Sequence, residues 1–205
     1  MQKFLLVLVF VFSVPLGTWA NDALPDSLSV GGKAKDFILP GAHGQDARLY
    51  DALQEGPVVL SFYRGGWCPI CNEQLQAYQA RLGDIKALGG QLIAISPETP
   101  SHAEATALKN HLGFAVLSDR DNAVAKAYGI VWRVPDSHQE GFAQWLKGAT
   151  GQSLADYNGQ EGYELPVPAT FVLSTDGTVV YAFKDVDYKK RASVDDILSA
   201  LQSLR

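Results

Sequence analysis

The stretch Pro57-Val58-Val59-Leu60-Ser61-Phe62-Tyr63-Arg64-Gly65-Gly66-Trp67-Cys68-Pro69-Ile70-Cys71 divides into three parts. Residues 57–63 are short and nearly all apolar, which suits a strand buried on both faces. Gly65-Gly66 permits a sharp turn. Leu75, Tyr78, Leu82, Ile85 and Leu88 then recur at spacings of three and four, one face of a helix that Gly89-Gly90 stops. The segment therefore predicts strand, turn, helix, with Cys68 and Cys71 at the helix start.

The pattern repeats outward from there. Gln91–Ser96 and Ala115–Ser118 read as further buried strands. Ser101 with Glu104 forms a capping box for a helix reaching about Leu112, and Asp121 caps a short helix through Tyr128. Residues 36–39 and 47–50 flank a Gly-rich turn and predict a small hairpin. Ala169–Leu173 and Val179–Phe183 predict another around Ser174-Thr175-Asp176-Gly177. Ser193 caps a last helix carrying Val194, Ile197, Leu198, Leu201 and Leu204 on one face. Helices between buried strands imply an α/β domain with parallel pairs, and the late hairpin makes the central sheet mixed. Residues 131–165 break the rhythm as an insertion. Phe142, Trp145, Leu146 and Ala149 give it an amphipathic helix, and its aromatics (Trp132, Phe142, Trp145, Tyr157, Tyr163) either pack on an edge or line a groove.

Composition narrows the function. The chain has 205 residues, net charge −5, 47% hydrophobic and 19% charged residues, and two cysteines. That excludes a disordered chain, a disulfide scaffold and an evident nucleic-acid binder. Met1–Ala20 has Lys3, an apolar run from Phe4 to Val14, a Pro15/Gly17 break and a small final residue. This predicts a secretory signal peptide cleaved after Ala20 and an exported protein, periplasmic or extracellular, with no membrane attachment after cleavage. The apolar run is short for an anchor, the alternative reading. Residues 21–32 form a polar lead-in and 33–205 a single domain.

Cysteines at i and i+3 on a helix start share one side of the first turn, where unpaired N–H groups and the helix dipole favour a thiolate. Pro69 suits that turn, since its missing N–H loses nothing there. Trp67 shields one side, and Arg64 either adds positive charge or points to solvent. A zinc site would need two more ligands, yet no cysteine remains and His43, His102, His111 and His138 are scattered. A structural disulfide closing so short a loop restrains the unfolded chain little. Thiol redox chemistry, without metal or organic cofactor, is the remaining expectation.

Phe62–Asn72 resembles the active-site segment of peroxiredoxin-like proteins, the alkyl hydroperoxide reductase and thiol-specific antioxidant group of the thioredoxin superfamily. The resemblance extends through Leu117-Ser118-Asp119, Tyr128-Gly129-Ile130 and Leu165–Leu173. It implies a thioredoxin-like fold, a hydroperoxide substrate and a thioredoxin-type reductant protein. It also puts Cys71 in the peroxidatic position and Cys68 as resolving thiol. The departures are specific: Cys68 replaces the family's threonine, Arg64 its proline, and Pro168 falls at or near its late arginine. Val167-Pro168-Ala169-Thr170 instead resembles the thioredoxin loop with a cis proline opposite the CxxC. That suggests an alternative in which Cys68 attacks protein disulfides. A non-catalytic binding module is the third reading. The usual thioredoxin carboxylate is missing from Leu60-Ser61-Phe62, leaving water or a group such as Glu98 to move protons. Asp185, Asp187, Tyr188 and Arg191 follow the last strand. Arg191 either binds an anionic group or lies in a solvated loop.

Overall fold

The computed structural model describes residues 24, 26–42, 44–159 and 161–205, so the expected leader Met1–Ala20 and His43 lie outside the described residues. The chain runs β1 (Ile38–Pro40), β2 (Asp46–Arg48), α1 (Leu49–Glu55), β3 (Val58–Phe62), α2 (Pro69–Ala80), α3 (Leu82–Ala87) and β4 (Gln91–Ser96). It continues with α4 (Pro100–Lys109), β5 (Ala115–Ser118), α5 (Ala123–Ala127), β6 (Val131–Arg133), α6 (Asp136–Thr150) and α7 (Leu154–Asn158). It ends with β7 (Glu164–Pro166), β8 (Ala169–Leu173), β9 (Val179–Lys184) and α8 (Val194–Gln202).

The central sheet has the order β5-β4-β3-β8-β9. β3, β4 and β5 are parallel, and β8 and β9 pair antiparallel. This is the mixed sheet expected. Every residue of β3 is buried because both faces are covered. Val58, Leu60 and Phe62 pack with α1 and α5 through Leu49, Leu53, Val124 and Tyr128. Val59, on the other face, packs with Tyr78, Ile85, Ile197 and Leu201. The alternation of side chains along a strand explains why so apolar a run was needed.

Four local expectations are corrected. The helix read from Leu75 to Leu88 is two helices, broken at Arg81, whose ψ of 12° leaves the helical range. The break still lets Leu82 and Ile85 join Tyr78 in one cluster. The α4 cap is Thr99, whose side chain accepts the His102 N–H, because Pro100 takes the first helical position and the residue before a proline is kept extended. Asp119 rather than Asp121 serves α5: its carboxylate accepts the Val124 and Ala125 N–H groups at 3.1 and 3.0 Å. Leu49 and Tyr50 open α1 instead of extending the hairpin, since Leu49 and Leu53 bury themselves one turn apart.

Candidate active site

The parallel strands deliver their C-terminal ends to one edge, the usual place for a site in such a sheet. β3 leads to the cysteine loop and β4 to Glu98. The turn between β3 and α2 depends on its glycines. Gly65 has φ +146°, and a Cβ there would lie 2.3 Å from the Trp67 ring nitrogen. A Cβ on Gly66 would lie 2.0 Å from Thr106 Oγ1. The Gly66 N–H donates to Glu98 Oε1 at 2.8 Å, and the Asn72 amide donates to the Gly66 and Cys68 carbonyls at 2.8 and 2.9 Å. Asn110 donates in turn to Asn72 Oδ1 at 2.8 Å. These side chains clamp the loop so that Cys68 is the residue preceding α2 and Cys71 lies in its first turn.

Both thiols are free and buried. Their charges are held apart. The neighbouring Cys71 thiol, and then the Arg64 charge, bring Cys68 down to about 6 against the opposing effect of burial. Burial, then the Cys68 neighbour, pushes Cys71 well up. Arg64 Nη2 stands 3.9 Å from Cys68 Sγ. Its guanidinium carbon lies 5.2 Å from the Trp67 ring centre and 4.4 Å from that of Tyr188, so two aromatic faces hold it in place. The structure thus places the Arg64 guanidinium beside the Cys68 sulfur, not free in solvent. Arg191 Nη2 reaches to 3.6 Å from Cys71 Sγ, which overturns the solvated-loop reading.

The insertion roofs this arrangement. The Phe142 and Trp145 rings lie 5.4 and 6.1 Å from the Trp67 ring, so α6 both packs and forms a wall. Between Arg64, Pro69 and Ile70 on one side and Phe142, Trp145 and Tyr188 on the other is a pocket of about 430 Å³. Cys68, but not Cys71, is part of its lining. Pro69 is exposed at the first position of α2, as expected.

Pro168 plays a different part from the one anticipated. The Val167–Pro168 peptide is trans. Val167 N–H donates to the Ile130 carbonyl at 2.8 Å, and the Pro168 carbonyl accepts the Asp185 N–H at 3.2 Å. The backbone here is committed to neighbouring chain, and Pro168 anchors the loop that carries Arg191.

Glu98 is fully buried and accepts from Tyr63 Oη, Gly66 N–H, Ser96 Oγ and Thr106 Oγ1. Burial raises its carboxyl above the usual range. The described contacts give it a loop-fastening role. Arg191 was raised from the sequence as an anion-binding alternative and Tyr188 only as part of its loop, neither with a link to the cysteines, and Asn72 and Asn110 were not singled out as site residues. Asn72 had a signal, as an amide directly after the second cysteine at a position facing inward.

The AhpC/TSA family profile matches residues 30–182. A chloroplastic peroxiredoxin Q of Populus jackii is 27% identical over 192 residues, covering 94% of this chain and 76% of the relative. Its counterpart in Gentiana triflora is 28% identical over 176 residues, covering 86% and 68%. Among solved structures, peroxidoxin BcpB from Mycobacterium tuberculosis superposes with a TM-score of 0.68 at 22% identity, covering 87% of this chain and 99% of that one. Xanthomonas campestris peroxiredoxin Q gives 0.63 at 20% identity, covering 86% and 96%. The fold is therefore the thioredoxin-like fold of peroxiredoxins. The matched segment contains the cysteine loop, the Glu98 strand end and the insertion, and the chain belongs to the AhpC/TSA family as a thiol-based oxidoreductase.

Proposed function

We propose that this protein reduces hydroperoxides through a Cys68/Cys71 dithiol–disulfide cycle in which Cys68 attacks first. One observation carries the order: Cys68 lines the pocket beside Arg64, and Cys71 is not part of that lining. The Cys68 thiolate attacks the distal peroxide oxygen, the O–O bond breaks, and the leaving alkoxide or hydroxide takes a proton. Cys68 is left as sulfenic acid. Cys71 then attacks the Cys68 sulfur, an S–S bond replaces the S–O bond, and water departs. A thioredoxin-type dithiol protein restores both thiols by exchange.

The pocket favours organic hydroperoxides. Phe142, Trp145 and Ile70 give an apolar substituent a surface that hydrogen peroxide cannot use. This order departs from the family resemblance, which puts Cys71 in the peroxidatic position, and it rests on Cys68 being the sulfur that lines the pocket. The second reading, attack on protein disulfides, rests on the same low Cys68 thiol, but the trans Val167–Pro168 bond removes its other support. We also propose export, on the Met1–Ala20 leader pattern. N-terminal sequencing of the secreted or periplasmic protein checks that: a chain starting at Asn21 supports it, and a retained Met1 refutes it.

The deciding assay follows consumption of cumene hydroperoxide and hydrogen peroxide beside insulin disulfide reduction. Peroxide turnover above that of a free thiol, lost on Cys68→Ser, supports the reading. Insulin reduction without peroxide turnover refutes it.

A further inference from the structure

We propose that Arg191 is a catalytic residue of the disulfide-forming and disulfide-opening steps, its guanidinium holding the negative charge that arises on Cys71 Sγ. This rests on the cysteine cycle above and assigns a charge-stabilising group to the sulfur that cycle leaves most buried.

Arg191 is delivered by the loop between β9 and α8, and that loop is built to hold it. The Asp185 N–H is fixed by the Pro168 carbonyl at 3.2 Å. Asp185 Oδ1 accepts the Asp187 N–H at 2.8 Å, and Oδ2 accepts Lys190 Nζ at 3.0 Å. Asp187 Oδ1 accepts the Lys189 N–H at 3.0 Å. Arg191 Nη1 donates to the Lys190 carbonyl at 2.7 Å and to the Tyr188 carbonyl. With Nη1 so occupied, Nη2 is the group aimed at Cys71 Sγ, 3.6 Å away. Arg191 Nε is buried without a partner among the described residues. The same loop supplies Tyr188 to Arg64, so one short segment presents Arg191 to Cys71 and steadies the Arg64 guanidinium beside Cys68.

The chemistry requires such a group. Cys71 is buried between Cys68, Tyr63 and Arg191, and burial opposes its ionisation. To close the disulfide, the Cys71 S–H bond must give up its proton as the sulfur lone pair attacks Cys68 Sγ. That proton leaves with the departing hydroxide as water. In the reverse half, an external thiolate attacks Cys68 Sγ, the S–S bond breaks, and its electron pair returns to Cys71 Sγ. A guanidinium within 4 Å of that atom lowers both barriers.

The test uses the full-length chain with Arg191→Met, Arg191→Lys and Asp185→Asn. Stopped-flow mixing with cumene hydroperoxide and dimedone trapping separate formation of the Cys68 sulfenic acid from disulfide closure. Arg191→Met should slow closure about tenfold or more at neutral pH, so that trapped sulfenic acid accumulates. Arg191→Lys should restore part of the rate, and Asp185→Asn should lie between. Raising the pH should narrow the gap, which a purely structural lesion would not do. Wild-type closure rates in folded Arg191→Met overturn the proposal. A second arm starts from the diamide-oxidised protein and follows reduction by dithiothreitol, where about tenfold slowing is again expected. That arm needs no peroxide. If wild type ignores peroxide but Arg191→Met still slows disulfide opening, the peroxidase reading fails and this one stands. Should Arg191→Met not fold, the Arg191→Lys and Asp185→Asn rates decide in the same way, and wild-type values in both refute.

Discussion

Replacing Arg64 with methionine should move the reactivity of Cys68 along the pH axis without changing its limit. Arg64 Nη2 is 3.9 Å from Cys68 Sγ. At that distance unit charges interact by about 1 kcal/mol in water and about 4 kcal/mol at an effective dielectric near 20. The guanidinium is half-buried at a solvent-facing mouth, so the lower part of the range applies, about 1 to 2 kcal/mol. That is about one pKa unit. Cys68 begins at about 6, so the variant thiol should titrate near 7. The thiolate fraction then falls roughly fivefold at pH 6 and roughly twofold at pH 7, and is nearly unchanged at pH 9. Iodoacetamide alkylation, with Cys68 followed by peptide mass spectrometry across this range, reads those ratios directly. Methionine keeps the packing of the Arg64 stem against Trp67, so steric loss is limited. An apparent pKa that does not rise would refute the charge argument. So would a rate that falls equally at all pH values, which would point to lost shape instead.

The remaining predictions concern the loop, the pocket and the pH dependence of stability. Gly66→Ala should destabilise the protein by about 3 kcal/mol, because its Cβ would sit 2.0 Å from Thr106 Oγ1, and adding Thr106→Ala should recover part of the loss in thermal melts. Glu98→Gln should cost about 2 kcal/mol in urea titrations, since a carboxamide nitrogen must face donors that the carboxylate now accepts; no change in midpoint would remove Glu98 from the loop clamp. Trp145→Ala should raise KM for cumene hydroperoxide roughly tenfold while leaving hydrogen peroxide turnover within about twofold, and equal losses would refute the apolar pocket. Cys68 titrates lower folded than unfolded, so its contribution is complete above its unfolded value and is lost as pH falls through about 6. The stability gap between reduced wild type and Cys68→Ser should therefore widen by about 3 kcal/mol from pH 6 to 9, and a gap that narrows contradicts the assignment.

Much of the architecture was readable because it follows from periodicity. β4 and β5 have the bounds their apolar runs predicted, and Ser193 caps α8 as anticipated. The insertion was recognised from its break in rhythm, and its helix buries Leu146 as the spacing required. Misplaced caps at α4 and α5 came from choosing among adjacent polar residues. Pro100 decides the first, and the left-handed backbone at Asn122 (φ 52°) lets Asp119 reach past it in the second. At the site, the cysteine pair, Trp67, Pro69 and Arg64 were legible because one contiguous segment carries them. The anion-binding alternative for Arg191 was legible but its target was not, because Cys71 is 120 residues away in the chain and no local pattern marks the contact. The family's late arginine position is filled here by Pro168, and reading only that position suggested a missing cation. A guanidinium reaches the sulfur from a different loop, which Pro168 itself anchors through its carbonyl.

The central claim is that Cys68 is the sulfur that meets the peroxide. Cys71→Ser leaves Arg64 Nη2 3.9 Å from Cys68 Sγ and keeps a hydroxyl beside it, so the Cys68 thiolate should persist. The most direct measurement mixes Cys71→Ser and Cys68→Ser separately with one equivalent of cumene hydroperoxide at pH 7, with dimedone trapping and mass spectrometry. Cys71→Ser should give rapid adduct formation on Cys68, and Cys68→Ser should react no faster than a free thiol. Fast adduct formation on Cys71 in the Cys68→Ser protein, with Cys71→Ser inert, would contradict the account.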